Sequence, residues 1–113
     1  MANNQVALDR VFHALGDPTR LAVINRLANG PATVSGLAAP FAMALPTFLR
    51  HLDVLEAHGL ISSEKAGRVR TCRLEPETLS RVDAWLTDRR ALWNHRLDQL
   101  GEMLGEPGNQ RRK

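Results

Sequence analysis

The chain has 113 residues, 43% of them hydrophobic, with 15 Lys plus Arg against 12 Asp plus Glu and a formal charge of +3. This suits one domain with a modest core, which a partner subunit would enlarge. A single cysteine, Cys72, excludes an internal disulfide and a Cys-rich metal site within one chain, and no run approaches the roughly 18 apolar residues that span a bilayer. Met1 to Arg10 hold no apolar signal core, so a cytoplasmic location without a membrane partner is expected. With so small a charge excess, the placement of charges matters more than their sum.

Leu8, Val11, Phe12 and Leu15 recur at helical spacing and predict an amphipathic helix that Gly16 ends. Asp17 reads as the N-cap of a second helix, with Pro18 at its first position. Leu21, Ile24, Leu27 and Ala28 form its stripe, and Gly30-Pro31 closes it. Thr33 caps a short third helix over Val34 to Phe41, limited by Pro40. Leu45, Phe48, Leu52 and Leu55 predict a fourth helix, Leu45 to His58, stopped by Gly59.

From Leu60 the pattern changes. Leu60 to Lys65 and Val69 to Leu74 read as two strands joined around Ala66-Gly67-Arg68. Pro76 then opens a long helix with the stripe Leu79, Val82, Leu86, Trp93, Leu97, Leu100 and Leu104. About 29 residues make a rod of roughly 43 Å, longer than a domain of this size covers alone. Residues 1–104 therefore read as one domain, and 105–113 as a disordered basic tail. The expected fold is mainly α with a β-hairpin, in the order α-α-α-α-β-β-α.

A short helix followed by a brief turn and a second helix is the helix-turn-helix arrangement, whose second helix enters the major groove of DNA. The reader helix then buries Leu45, Phe48, Leu52 and Leu55 and presents Pro46, Thr47, Arg50, His51 and Val54. Arg50 suits guanine O6 and N7 or a phosphate, Thr47 a base edge or thymine methyl, and His51 a phosphate oxygen. An exposed helix carries such residues merely for solvation often enough. The next segment shifts the balance: Lys65, Arg68, Arg70 and Arg73 fall within nine residues with no acid between them. A basic hairpin alone protects a sheet edge, whereas beside a reader helix it forms a wing against the phosphate backbone or minor groove.

The run Ala14-Leu15-Gly16-Asp17-Pro18-Thr19-Arg20, followed by Leu21 and Ile24, resembles the opening signature of ArsR-type regulators. Leu45 to Ile61 is similar to that family's S-x-H-L-x-x-L-x-x-A-G-L-V core, and Gly67-Arg68 with the strand ending at Leu74 to its wing. The resemblance covers roughly residues 8–100. It implies a homodimeric winged helix-turn-helix repressor that leaves its operator on meeting an inducer, which the sequence does not name. Ala44 departs from the family's frequent serine N-cap, at about 1 kcal/mol of lost capping, and Thr71 and Cys72 stand where wing tyrosines are common. Leu49, larger than usual, either fills core space, which is the expectation, or touches a thymine methyl.

Trp85, Leu86, Trp93, Leu97 and Leu100 are expected to face the partner subunit, helped by the first helix. Two-fold symmetry would then set two reader helices over an inverted repeat in double-stranded DNA, about 34 Å apart. Family metal sensors carry a Cys-x-Cys pair on the supporting helix, yet Val34 to Phe41 has no cysteine or histidine. Others use the last helix; Asp83, His95 and Asp98 lie there, but Trp85 replaces an expected histidine. No metal or other cofactor is expected; a metal sensor built from Asp83, His95 and Asp98 across the dimer, or a redox sensor using Cys72, is the minor reading. Catalysis is not expected either: no phosphate-cradling glycine loop is present, and His13, His51, His58 and His95 sit on separate elements. The chief alternative is a winged helix that binds another protein.

Overall fold

The computed structural model describes residues 4–105. Its elements are α1 (Asn4–Leu15), α2 (Pro18–Leu27), β1 (Ala32–Thr33), α3 (Val34–Ala38), α4 (Leu45–Ala57), β2 (Ile61–Ala66), β3 (Val69–Leu74) and α5 (Pro76–Met103). The order is the expected one with β1 added. The chain forms two compact units that part within α5, after Leu79. The expected basic tail, apart from Gly105, lies outside the described residues.

In the first unit, local chemistry starts and stops each helix. Asp17 has extended backbone angles, and its carboxylate accepts from the Arg20 N–H at 3.1 Å, with Pro18 pre-set for the first helical position. Thr33 caps α3 in the same way, its Oγ1 accepting from the Gly36 N–H at 3.1 Å. At the end of α4 the Gly59 N–H donates to the Glu56 carbonyl (3.1 Å) and the Leu60 N–H to the Leu55 carbonyl (2.9 Å). This is the Schellman arrangement, with Gly59 at φ +75°. It turns the chain from α4 directly into β2.

The core gathers Val11 and Ala14 of α1, Val23 and Leu27 of α2, Leu37 of α3, Phe48, Leu52 and Leu55 of α4, then Leu60, Ile61 and Cys72. Each large side chain removed from water here contributes about 1.5–3 kcal/mol. The sheet is antiparallel in the order β1-β3-β2. Ala32 pairs with Cys72 and Thr33 with Thr71, while β2 and β3 pair from Ile61–Leu74 to Ala66–Val69. Gly67 and Arg68 make the two-residue turn, where Gly67 supplies φ +63°.

Four expectations change. α3 ends at Ala38, short of Phe41, and the Phe41 ring instead packs on Phe48 with centroids 5.4 Å apart. Leu21 is 46% exposed, because Val23, not Leu21, takes the inward position of α2. Leu45 is 53% exposed: it begins the first turn of α4, which projects past the core that starts at Phe48. Leu49, expected in the core, is half-buried.

The second unit is the remainder of α5. Leu86, Leu92, Trp93, Leu97 and Leu100 are all exposed, Trp93 by 64%. The Arg89 guanidinium lies 5.0 Å from the Trp85 ring centre, a cation–π contact. No helix among the described residues is long and apolar enough to cross a membrane.

Candidate nucleic-acid interface

The outer surface of the first unit is built from the first turns of α4 and the β2–β3 hairpin. Ala44 occupies the N-cap of α4 with no side-chain hydrogen bond, and Pro46 sits in the first turn, where its missing N–H costs nothing. Pro46, Thr47 and Arg50 are exposed on α4, as are Lys65 and Arg68 on the hairpin. Among the described residues the side chains of Arg50, Lys65 and Arg68 make no hydrogen bond or ion pair. Their donors are open to an external acceptor.

His51 and Arg70 differ from expectation, because each is committed to an inward partner. His51 Nδ1 lies 3.0 Å from Arg20 Nη1 and 3.8 Å from Asp17 Oδ2. A guanidinium can only donate, so in this contact the imidazole nitrogen faces a donor. Arg20 also donates through Nε to the Ala14 carbonyl at 2.7 Å. One side chain thus ties together the end of α1, the start of α2 and the middle of α4. The Arg20 backbone N–H holds the Asp17 carboxyl below its ordinary value; burial opposes this, and the Arg20 charge assists.

Arg70 is drawn to the other end of α4. Its Nη2 meets Glu56 Oε1 at 2.6 Å and its Nε donates to Ser63 Oγ at 3.1 Å. Ser63 in turn donates to Glu56 Oε2 at 2.9 Å, closing a ring between α4, β2 and β3. Arg73 pairs with Glu64 at 2.7 Å on the open surface. Of the hairpin's four cations, two are therefore neutralised and two remain free.

Arg20 and Glu56 are positioning residues that sequence reasoning missed. A signal existed for both. A cation in the first turn of a helix and an acid in the last turn oppose the helix dipole, which suggests a tertiary partner.

Cys72 is fully buried, facing inward like Leu74 as its strand parity predicts. Burial pushes its thiol above the ordinary value; Arg70 opposes this and Glu56 adds to it. That is the reverse of what a reactive thiolate needs. Among the described residues no three His, Cys, Asp or Glu side chains come together as a metal site.

The pattern of the Helix-turn-helix domain family matches residues 15–64. The HTH-type transcriptional regulator Rv2034 of Mycobacterium tuberculosis is 34% identical over 101 residues, covering 89% of this chain and 92% of that protein. The transcriptional repressor SdpR of Bacillus subtilis is 31% identical over 61 residues, 54% of this chain and 68% of the repressor. A crystal structure of the ArsR family transcriptional regulator RHA00566 is 53% identical, with a TM-score of 0.75, covering 82% of this chain and 96% of that one. With its helix-turn-helix, paired wing strands and long final helix, the chain belongs to the ArsR family of winged helix-turn-helix, DNA-binding transcriptional regulators.

Proposed function

We propose that the protein acts in the cytoplasm as a homodimer that binds an inverted-repeat operator in double-stranded DNA and represses transcription until an inducer releases it. It works by binding, without catalysis. Thr47 and Arg50 read base edges in the major groove, with Pro46 beside them. Lys65 and Arg68 hold the phosphate backbone from the wing. His51 and Arg70 serve as positioning residues, fixing the reader helix to α2 and the wing to the reader helix. The observation that carries this reading is the coexistence, on one surface, of an exposed reader row and two unpaired wing cations.

The exposed Leu86, Trp93, Leu97 and Leu100 on α5 support the dimer, since so long an apolar stripe is costly to leave in water. Trp85 and Arg89 flank that stripe. Repression is supported by the resemblance to a named repressor.

Selection of genomic fragments retained by the protein supplies the operator. Arg50→Ala should then lower discrimination between operator and unrelated duplex by about 1–3 kcal/mol. Removing a wing cation with Arg68→Ala should instead weaken all duplexes and flatten the salt dependence by about 0.9 in log–log slope. Unchanged sequence preference in Arg50→Ala would overturn the reader assignment.

A further inference from the structure

Between the start of α3, the first turns of α4 and the wing lies a recess of about 430 Å³. Its floor is apolar: Leu45 is 53% exposed, Val69 51%, and Leu49 is half-buried. The rest of its lining is polar and cationic, with the Thr33 and Ser35 hydroxyls and the Lys65, Arg68 and Arg70 side chains. No acidic side chain lines it. Thr33 Oγ1 accepts from the Gly36 N–H and shares a hydrogen bond with the exposed Ser35 hydroxyl at 3.5 Å, which uses one of the two hydroxyl protons and leaves the other to an external acceptor. Anion-seeking donors therefore share the recess with three aliphatic side chains that offer no polar group.

The position selects the occupant. Given the proposed reading, with α4 in the major groove and the hairpin reaching across its edge, the backbone of one strand must pass between them. That backbone alternates an anionic phosphate with a sugar whose flank is mostly C–H. The recess pairs the same two chemistries, donors and carbon.

We infer that this recess seats one deoxyribose–phosphate unit of the duplex. Ser35, Thr33 and Arg68 hold the phosphate, and Leu45, Leu49 and Val69 lie against the sugar. The consequence is sugar selectivity. A 2′-hydroxyl pressed on this floor would lose water and find no partner, whereas a deoxyribose loses nothing. The inference rests on the proposed DNA-binding mode and adds to it a site that distinguishes DNA from RNA.

The test uses the full-length protein and the selected operator duplex, followed by fluorescence anisotropy. Single ribonucleotides are placed at successive positions of each strand. One position per half-site should weaken binding about ten-fold, the effect of burying an unpaired hydroxyl, while its neighbours change little. Val69→Thr keeps the shape of the exposed valine and supplies a hydroxyl, so it should shrink that penalty to about two-fold at the same position. If the wild-type protein binds the DNA duplex but no ribonucleotide position matters, the sugar seat is wrong and DNA binding stands. A penalty that Val69→Thr leaves unchanged refutes it equally. If no duplex binds at low salt, both the DNA-binding mode and the seat fall.

Discussion

Gly59 joins the reader helix to the wing, and its replacement by alanine is a quantitative test of how that junction is held. Two costs add. At φ +75° an L-residue loses about 1–2 kcal/mol, because its Cβ crowds the following carbonyl. The new Cβ would also stand 3.0 Å from Thr78 Oγ1, and Thr78 is only 5% exposed. Relieving such an overlap in a packed site costs about 1–3 kcal/mol. Gly67 is the control. It has φ +63° but open space where a Cβ would stand, with nothing within 4 Å, so Gly67→Ala should show the first cost alone. The entropic gain from restricting the unfolded chain is common to both substitutions and cancels. At fixed protein concentration, far-ultraviolet circular dichroism should therefore place the Tm of Gly59→Ala below that of Gly67→Ala. The gap should be at least about 4 °C, given about 4–8 °C per kcal/mol in a domain of this size. Adding Thr78→Ala should close most of it. Equal Tm values, or no coupling between positions 59 and 78, would refute the reasoning.

Trp93→Ala should weaken dimerisation by about 30-fold or more, as expected for a central aromatic contact worth about 2 kcal/mol; sedimentation over a concentration series reads this directly, and an unchanged profile counts against α5 as the interface. Asp17→Asn keeps the capping oxygen but removes the charge. Because folding depresses this carboxyl, its ionic contribution is complete above about pH 4, the unfolded value. It disappears as the pH falls through the lower folded value. The variant should therefore be less stable than the wild type to urea at neutral pH and nearly equal to it in strong acid. Cys72, buried and with a raised pKa, should resist thiol reagents in the folded protein and react promptly in denaturant; rapid labelling of the native state would contradict its placement.

Local signals made most of the fold legible. Asp17-Pro18, Gly59 and Pro76 each announce a boundary through their own backbone preferences, and all three stand where those preferences predict. β1 was not readable. Two residues show no period, and Ala32–Thr33 become a strand only because β3, forty residues later in the chain, offers them partners. Leu21 and Leu45 show the limit of periodicity: in α2 it misplaced the stripe, since Val23 points inward and Leu21 outward, and in α4 it did not say how far along the helix the core reaches. The candidate interface follows the same division. Exposure of Pro46, Thr47 and Arg50 follows from helical geometry, whereas the orientation of His51 and Arg70 depends on Arg20 and Glu56, 31 and 14 residues away. No local rule exposes such pairings.

The pairing of Ala32 and Thr33 with Cys72 and Thr71 has a mechanical consequence. The hairpin is stitched on one side to the strand that runs straight into α3, and on the other to α4 through the Glu56–Ser63–Arg70 ring. Bending the hairpin alone would tear backbone bonds on one flank and an ion pair on the other. In the proposed repressor an inducer would therefore gain little by flexing this edge. It would do better to change the spacing between two stiff grips, as one opens a pair of calipers without bending either jaw.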